Sequence, residues 1–139
     1  MDQLQIFNPM GVLVALTFLV LSQVPVRRFA AAFRREVTRD DFKFGESAKV
    51  SGAVSIPNRN LMNLLEMPVL FYILCLALFV SNRVTGLQVT LAWIFVALRA
   101  AHSFVHLTFN NVLVRLTMYA LSNFVLMAMW LLLYFGPHA

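Results

Sequence analysis

Charge is scarce in this chain. Only 12% of its 139 residues are Asp, Glu, Lys or Arg, where an ordinary globular domain carries about a quarter. Acidic residues number six, and the single cysteine, Cys75, lies in an apolar run. That excludes a disulfide framework and a cysteine-built metal site within one chain. What remains is 60% apolar, with a mean hydropathy of +0.78. One bilayer-spanning helix uses ~20 apolar residues, so four spans would consume nearly all of them. No room is left for a soluble catalytic domain beside them. Residues 1–139 therefore read as one integral membrane domain, and any chemistry must sit within its helices. The seven Met and thirteen Phe are expected to face lipid or core, and Trp93 and Trp130 stand too far apart to form a cofactor box.

The net charge of +5 and pI near 10.2 raise nucleic acid as a partner, but that would need basic residues on a soluble face. They cluster in one connection instead. Arg27, Arg28, Arg34, Arg35, Arg39, Lys43 and Lys49 are seven of the eleven basic residues, set against Glu36, Asp40, Asp41 and Glu46. No nucleic-acid partner is expected. By the positive-inside rule the loop 27–57 is cytoplasmic and both termini lie on the opposite side. The N-terminal segment before Gly11 carries Asp2 alone, so it lacks the basic start of a cleaved signal, and the first span is expected to be retained.

The spans are expected at about 9–26, 58–80, 87–107 and 111–135. Asn8-Pro9 offers the first helix start, and Pro57-Asn58 the second. Ser81-Asn82-Arg83 with Gly86, and then Asn110-Asn111, make short turns, and Gly136-Pro137 ends the last helix. Short connections place consecutive helices antiparallel. The expected fold class is an all-α membrane protein, a four-helix up-and-down bundle. No internal repeat or low-complexity segment is present.

Spans one and four contain long charge-free runs, whereas spans two and three carry ionisable groups at membrane depth. Such groups are costly there and mark function by default. Span two carries Arg59, Asn63 and Glu66 at i, i+4 and i+7, hence on one helical stripe. Span three carries Arg99, His102, Ser103 and His106 at i, i+3, i+4 and i+7. Span four carries Asn111, Arg115, Tyr119 and Ser122 at i, i+4, i+8 and i+11. The topology puts all three stripes in the same half of the membrane, and Pro68 interrupts the backbone ladder beside Glu66. The expected product is a cationic pocket with Arg59, Arg99 and Arg115 against one carboxylate. Arginines in a low-dielectric cleft suit an anion with carboxylates, or a thiolate.

These residues resemble the MAPEG superfamily, the membrane-associated proteins of eicosanoid and glutathione metabolism, across roughly Pro57 to Tyr119. The family's second helix has an Arg-x3-Asn-x2-Glu pattern followed by Pro, matched by Arg59, Asn63, Glu66 and Pro68. Its third helix is matched by Arg99, His102 and His106, and its fourth by Arg115 and Tyr119. The resemblance implies a homotrimer with glutathione sites between protomers, glutathione as co-substrate, and a hydrophobic small molecule drawn from membrane lipids' own phase. It implies that Arg59, Asn63 and Glu66 hold glutathione's charged backbone, that Arg99, His102, His106 and Tyr119 complete the cradle, and that Arg115 is the catalytic group stabilising the thiolate. The activity so implied is a glutathione-dependent transferase or peroxidase. Further basic residues common in the second-helix motif are here Leu61 and Met62, the serine that follows the fourth-helix arginine in the prostaglandin synthase branch is Leu116, and His106 stands where tyrosine is common.

Blander assignments stand beside this one. Arg115 and Arg59 could snorkel to headgroups, and Arg99 with Glu66 could form a purely structural pair. His102 and His106 with Glu66 could bind a metal, although nearby arginines would repel a cation, and no metal site is expected. Asn60, Asn110 and Asn111 read as caps and turn residues. The fold also has a non-catalytic alternative, a trimer that binds a lipid or a partner membrane protein.

Overall fold

The computed structural model describes residues 2–136. Four apolar segments, Gln3–Phe33, Gly52–Val80, Gly86–Leu107 and Val112–Phe135, are long enough to cross a membrane. They form five α-helices: α1 (Phe7–Phe33), α2 (Gly52–Leu65), α3 (Met67–Val80), α4 (Gly86–Leu107) and α5 (Val112–Phe135). No β-strand occurs among the described residues. The second span is two helices because its backbone breaks at Glu66, with φ −87° and ψ −94°. Pro68, in the first turn of α3, supplies no N–H and its ring crowds the preceding turn, so the ladder cannot run through.

Residues 27–57 are not all loop. α1 continues to Phe33 and α2 begins at Gly52, which leaves only 34–51 as the connection. Arg27 and Arg28 end the apolar run without ending the helix, since arginine is a good helix former and Ala30–Ala32 follow. The stop comes at Arg35, whose φ of 59° lets Glu36 N–H reach the Ala31 carbonyl and Arg35 N–H the Ala32 carbonyl. Pro57 lies inside α2 and cannot donate to the Ala53 carbonyl; Arg27 Nη1 donates to that oxygen instead, at 3.1 Å. One basic side chain thus makes a mid-helix proline tolerable.

The connection folds onto these helix ends. Ala31, Val37 and Val54 are buried together, with Phe42 and Val50 against them. Arg28 ion-pairs with Glu46 at 3.1 Å and lies over the Phe42 ring. Asp41 accepts from Ser47 Oγ at 2.7 Å, Thr38 N–H at 2.8 Å and Thr38 Oγ1 at 2.9 Å.

The opposite end is closed by polar clamps. Gln3 exchanges two hydrogen bonds with the Val84 backbone, tying the N-terminus to the turn between α3 and α4. In that turn Asn82 takes φ 55°. Arg83 reaches α5 and donates to the Leu133 and Gly136 carbonyls, filling acceptors that a helix end leaves open. Gly136 caps α5, where a Cβ would collide with the Leu132 carbonyl; Pro137 lies outside the described residues. The core between these ends is built from Leu13, Leu74, Phe71, Phe95 and Met129, with Phe71 and Phe95 stacked at 4.6 Å.

Candidate functional site

α4 is the bundle's centre: α1, α2 and α5 all pack on it, whereas α2 and α5 make no close backbone approach to each other among the described residues. A cleft therefore remains between α2 and α5, floored by the last turn of α4. It is an open pocket of about 530 Å³ lined by Arg59, Asn63 and Glu66 from α2 and its break, His106 from α4, Asn110 from the turn and Arg115 from α5. The i, i+4, i+7 spacing gives Arg59, Asn63 and Glu66 one face, and the break at Glu66 leaves that carboxylate exposed on the pocket wall. Ile56, Met62 and Val112 supply the apolar rim.

Arg115 is positioned from both ends. Its Nη1 donates to Asn110 Oδ1 at 2.6 Å, a short, charge-assisted bond. Its backbone carbonyl accepts from His102 Nδ1 at 3.0 Å, which assigns the Nδ1–H tautomer to His102. Asn110 itself has φ 48° and donates its N–H to the Val105 carbonyl at 2.7 Å, while Asn111 caps α5 by accepting from Val114 N–H. The Asn110-Asn111 turn expected from sequence is present, and Asn110 additionally reaches into the pocket. Asn60 is neither a cap nor a turn residue: it is fully buried in α2, where its Oδ1 accepts from Ser103 Oγ at 3.2 Å.

Arg99, His102 and Tyr119 do not line this pocket. Arg99 is fully buried, with Nη2 donating to Asn123 Oδ1 at 2.6 Å and its guanidinium over Tyr119 and Phe95, 4.8 and 5.2 Å from the ring centroids. The Arg99–Glu66 pair considered from sequence is not made; the ion pairs among the described residues are Arg28–Glu46 and Arg34–Glu36. Arg99 Nε and Nη1, His102 Nε2 and His106 Nδ1 are buried without hydrogen-bond partners. His102 forms the wall between the two groups, its ring 5.8 Å from His106 and 5.9 Å from Tyr119. A polar layer of Arg99, Tyr119 and Asn123 thus stands behind the pocket.

Asn123 was missed in the sequence, although it is i+4 from Tyr119; Ser122, taken for the stripe, turns back on its own helix and donates to the Tyr119 carbonyl. No group of three His, Cys, Asp or Glu side chains that could hold a metal occurs among the described residues. Chemically, the pocket offers two guanidinium groups, one carboxylate, two amides and an imidazole, with an apolar rim. It can hold a small zwitterion with surplus negative charge, its carboxylates on arginine and its ammonium on Glu66.

Neither a curated protein nor a solved structure matches the chain. The sequence profile of the MAPEG family matches residues 6–135, spanning every helix that builds the pocket, and the chain belongs to that family.

Proposed function

We propose that this protein is a glutathione-dependent transferase or peroxidase for hydrophobic electrophiles, with Arg115 as the group that stabilises the thiolate. The observation that carries this reading is the convergence of Arg59, Asn63, Glu66, His106 and Arg115 on one pocket in a MAPEG-family chain. Glutathione carries two carboxylates, one ammonium and a thiol, which is the charge pattern the lining complements. A thiol of reference pKa ~8.5 is mostly protonated at neutral pH, and a fixed guanidinium in a poorly solvated site favours the nucleophilic anion. The thiolate sulfur then bonds to an electrophilic carbon as the leaving group departs with its electron pair, or attacks the terminal oxygen of a hydroperoxide. The second route breaks the O–O bond to leave an alkoxide that takes a proton and a glutathione sulfenic acid that a second glutathione converts to the disulfide and water. Bilayer-dissolved substrates reach the sulfur across the apolar rim.

The site is completed, in this proposal, by assembly as a homotrimer with the pocket at the protomer boundary. Glu66 stands at the midpoint of the 29-residue segment Gly52–Val80 and is exposed on a single chain with no ion-pair partner among the described residues. An uncovered carboxylate within a membrane-crossing segment costs up to roughly 2.5–3.5 kcal/mol at mid-membrane, so a neighbouring subunit or a ligand should cover it. Arg99, His102 and Tyr119 support the pocket from behind, through the His102 bond to the Arg115 carbonyl.

The test is turnover of a chromogenic chloronitrobenzene with glutathione by purified protein. Arg115→Gln should abolish it and Arg34→Gln, which alters an exposed connection residue, should not. Glutathione that neither binds nor reacts would overturn the reading and favour a non-catalytic, lipid-binding trimer.

A further inference from the structure

A second cavity shares no residue with the pocket that holds Arg115. It lies where the C-terminal turns of α1 meet the connection 34–51, has a volume of about 400 Å³, and is walled by Val24, Pro25, Phe29, Val37 and Phe42. Arg28 and Arg39 line the same cavity. A polar recess of about 500 Å³ adjoins it through Thr38, Arg39 and Phe42, and adds Lys43 and Asp40. Taken together, the two adjoining spaces present an amphipathic groove, with an apolar side along α1 and a cationic side at Arg39 and Lys43.

The groove's chemistry selects its occupant. Val24, Pro25 and Phe29 stand in the last turns of Gln3–Phe33, the first segment long and apolar enough to cross a membrane, so an acyl chain lying along that helix can reach the apolar wall. Phe29 in that wall, and Phe33 and Phe44 in the neighbouring sequence, are 66%, 89% and 93% exposed, which water would disfavour and an interfacial position satisfies. At the mouth, Arg39 and Lys43 make no ion pair among the described residues. Asp40 is the one carboxylate lining either space, and Glu46 is already engaged by Arg28. Arg28 keeps its Nε buried without a hydrogen-bond partner while its guanidinium is held over Phe42. A molecule with an acyl chain and an anionic phosphate headgroup matches this arrangement at both ends.

We propose that this groove binds a single anionic phospholipid, its acyl chain along α1 and its phosphate between Arg39 and Lys43. The bound lipid fastens the connection 34–51 to the leaflet on that side of the membrane. The cluster of basic residues then acts as a defined headgroup seat as well as a determinant of orientation.

Delipidated full-length protein in neutral detergent, equilibrated with mixed micelles of phosphatidylcholine and phosphatidylglycerol, tests this by native mass spectrometry. One phosphatidylglycerol should be retained per chain in preference to phosphatidylcholine. R39Q/K43Q should bind it about 30-fold more weakly, because each basic residue near an anionic headgroup is worth about 1 kcal/mol. R34Q/R35Q removes equal charge outside the groove and should retain the lipid. Ala32→Phe fills the groove with the charges intact and should lose it. Equal retention of phosphatidylcholine, displacement of the lipid by millimolar inorganic phosphate, equal weakening in R34Q/R35Q, or full retention in Ala32→Phe would each overturn the proposal.

Discussion

Asn110 links the turn between α4 and α5 to the chemistry of the pocket, and substitutions there separate fold from function. Its backbone has φ 48°, a conformation that costs most residues about 1–2 kcal/mol but suits asparagine and glycine. Its side-chain oxygen accepts from Arg115 Nη1 at 2.6 Å. Asn110→Gly therefore keeps the turn and deletes the tether, whereas Asn110→Ala would mix the two effects. A hydrogen bond to a charged group contributes about 1.5–3 kcal/mol, so if that energy is needed only to place Arg115 at the reacting sulfur, kcat/KM for glutathione should fall roughly 10- to 150-fold. Asn110→Asp is the complementary change: its carboxylate still holds the guanidinium but cancels part of its field. The acid limb of the kcat/KM profile should then move to higher pH, while the Asn110→Gly limb reports the freed arginine. Steady-state kinetics against pH, with thermal midpoints measured in parallel, supply both readouts. Native kcat/KM in Asn110→Gly, or an unmoved acid limb in Asn110→Asp, would refute the positioning argument.

Two further outcomes concern the ends of the bundle. Arg83 bridges the Leu133 and Gly136 carbonyls, and Arg83→Met should lower the thermal midpoint by several degrees, with Arg83→Lys recovering part of the loss because a point charge serves one carbonyl better than two; unchanged midpoints would show that this clamp contributes nothing. The Asp41 carboxyl is held below its ordinary 3.8 chiefly by the Ser47 hydroxyl, then by the Thr38 N–H and hydroxyl. A depressed folded value stabilises the connection above the unfolded value and is lost as pH falls through the folded one, so amide protection in 38–50 should drop below about pH 4, and Asp41→Asn should show the low protection at every pH.

Most of the pocket was legible because helical periodicity and alternating topology act together. Arg59, Asn63 and Glu66 share one face by spacing alone, and the short Asn110-Asn111 turn brings His106 and Arg115 to the same level. The rest was hidden for identifiable reasons. Periodicity assigns a face but not its rotation against a neighbour, and one residue turns a helix by about 100°, so Ser122 and Asn123 could not be told apart as partners for Arg99. The two helix ends inside 27–57 were obscured by charge and proline. Arg27 both closes the apolar run of α1 and fills the carbonyl that Pro57 leaves open, a contact between residues 26 positions apart. Asn60 looked like a cap because asparagine usually is one; its burial against Ser103 follows only from the packing of α2 on α4.

In the proposed function, Arg115 turns a bound thiol into a thiolate within this pocket. Ultraviolet difference absorbance of glutathione on the purified protein, titrated from acid to neutral pH, measures that directly. A thiolate band should form well below the reference value of ~8.5 in the native chain and be displaced back towards it in Arg115→Gln. A band that is absent, or identical in the two proteins, would contradict that role for Arg115.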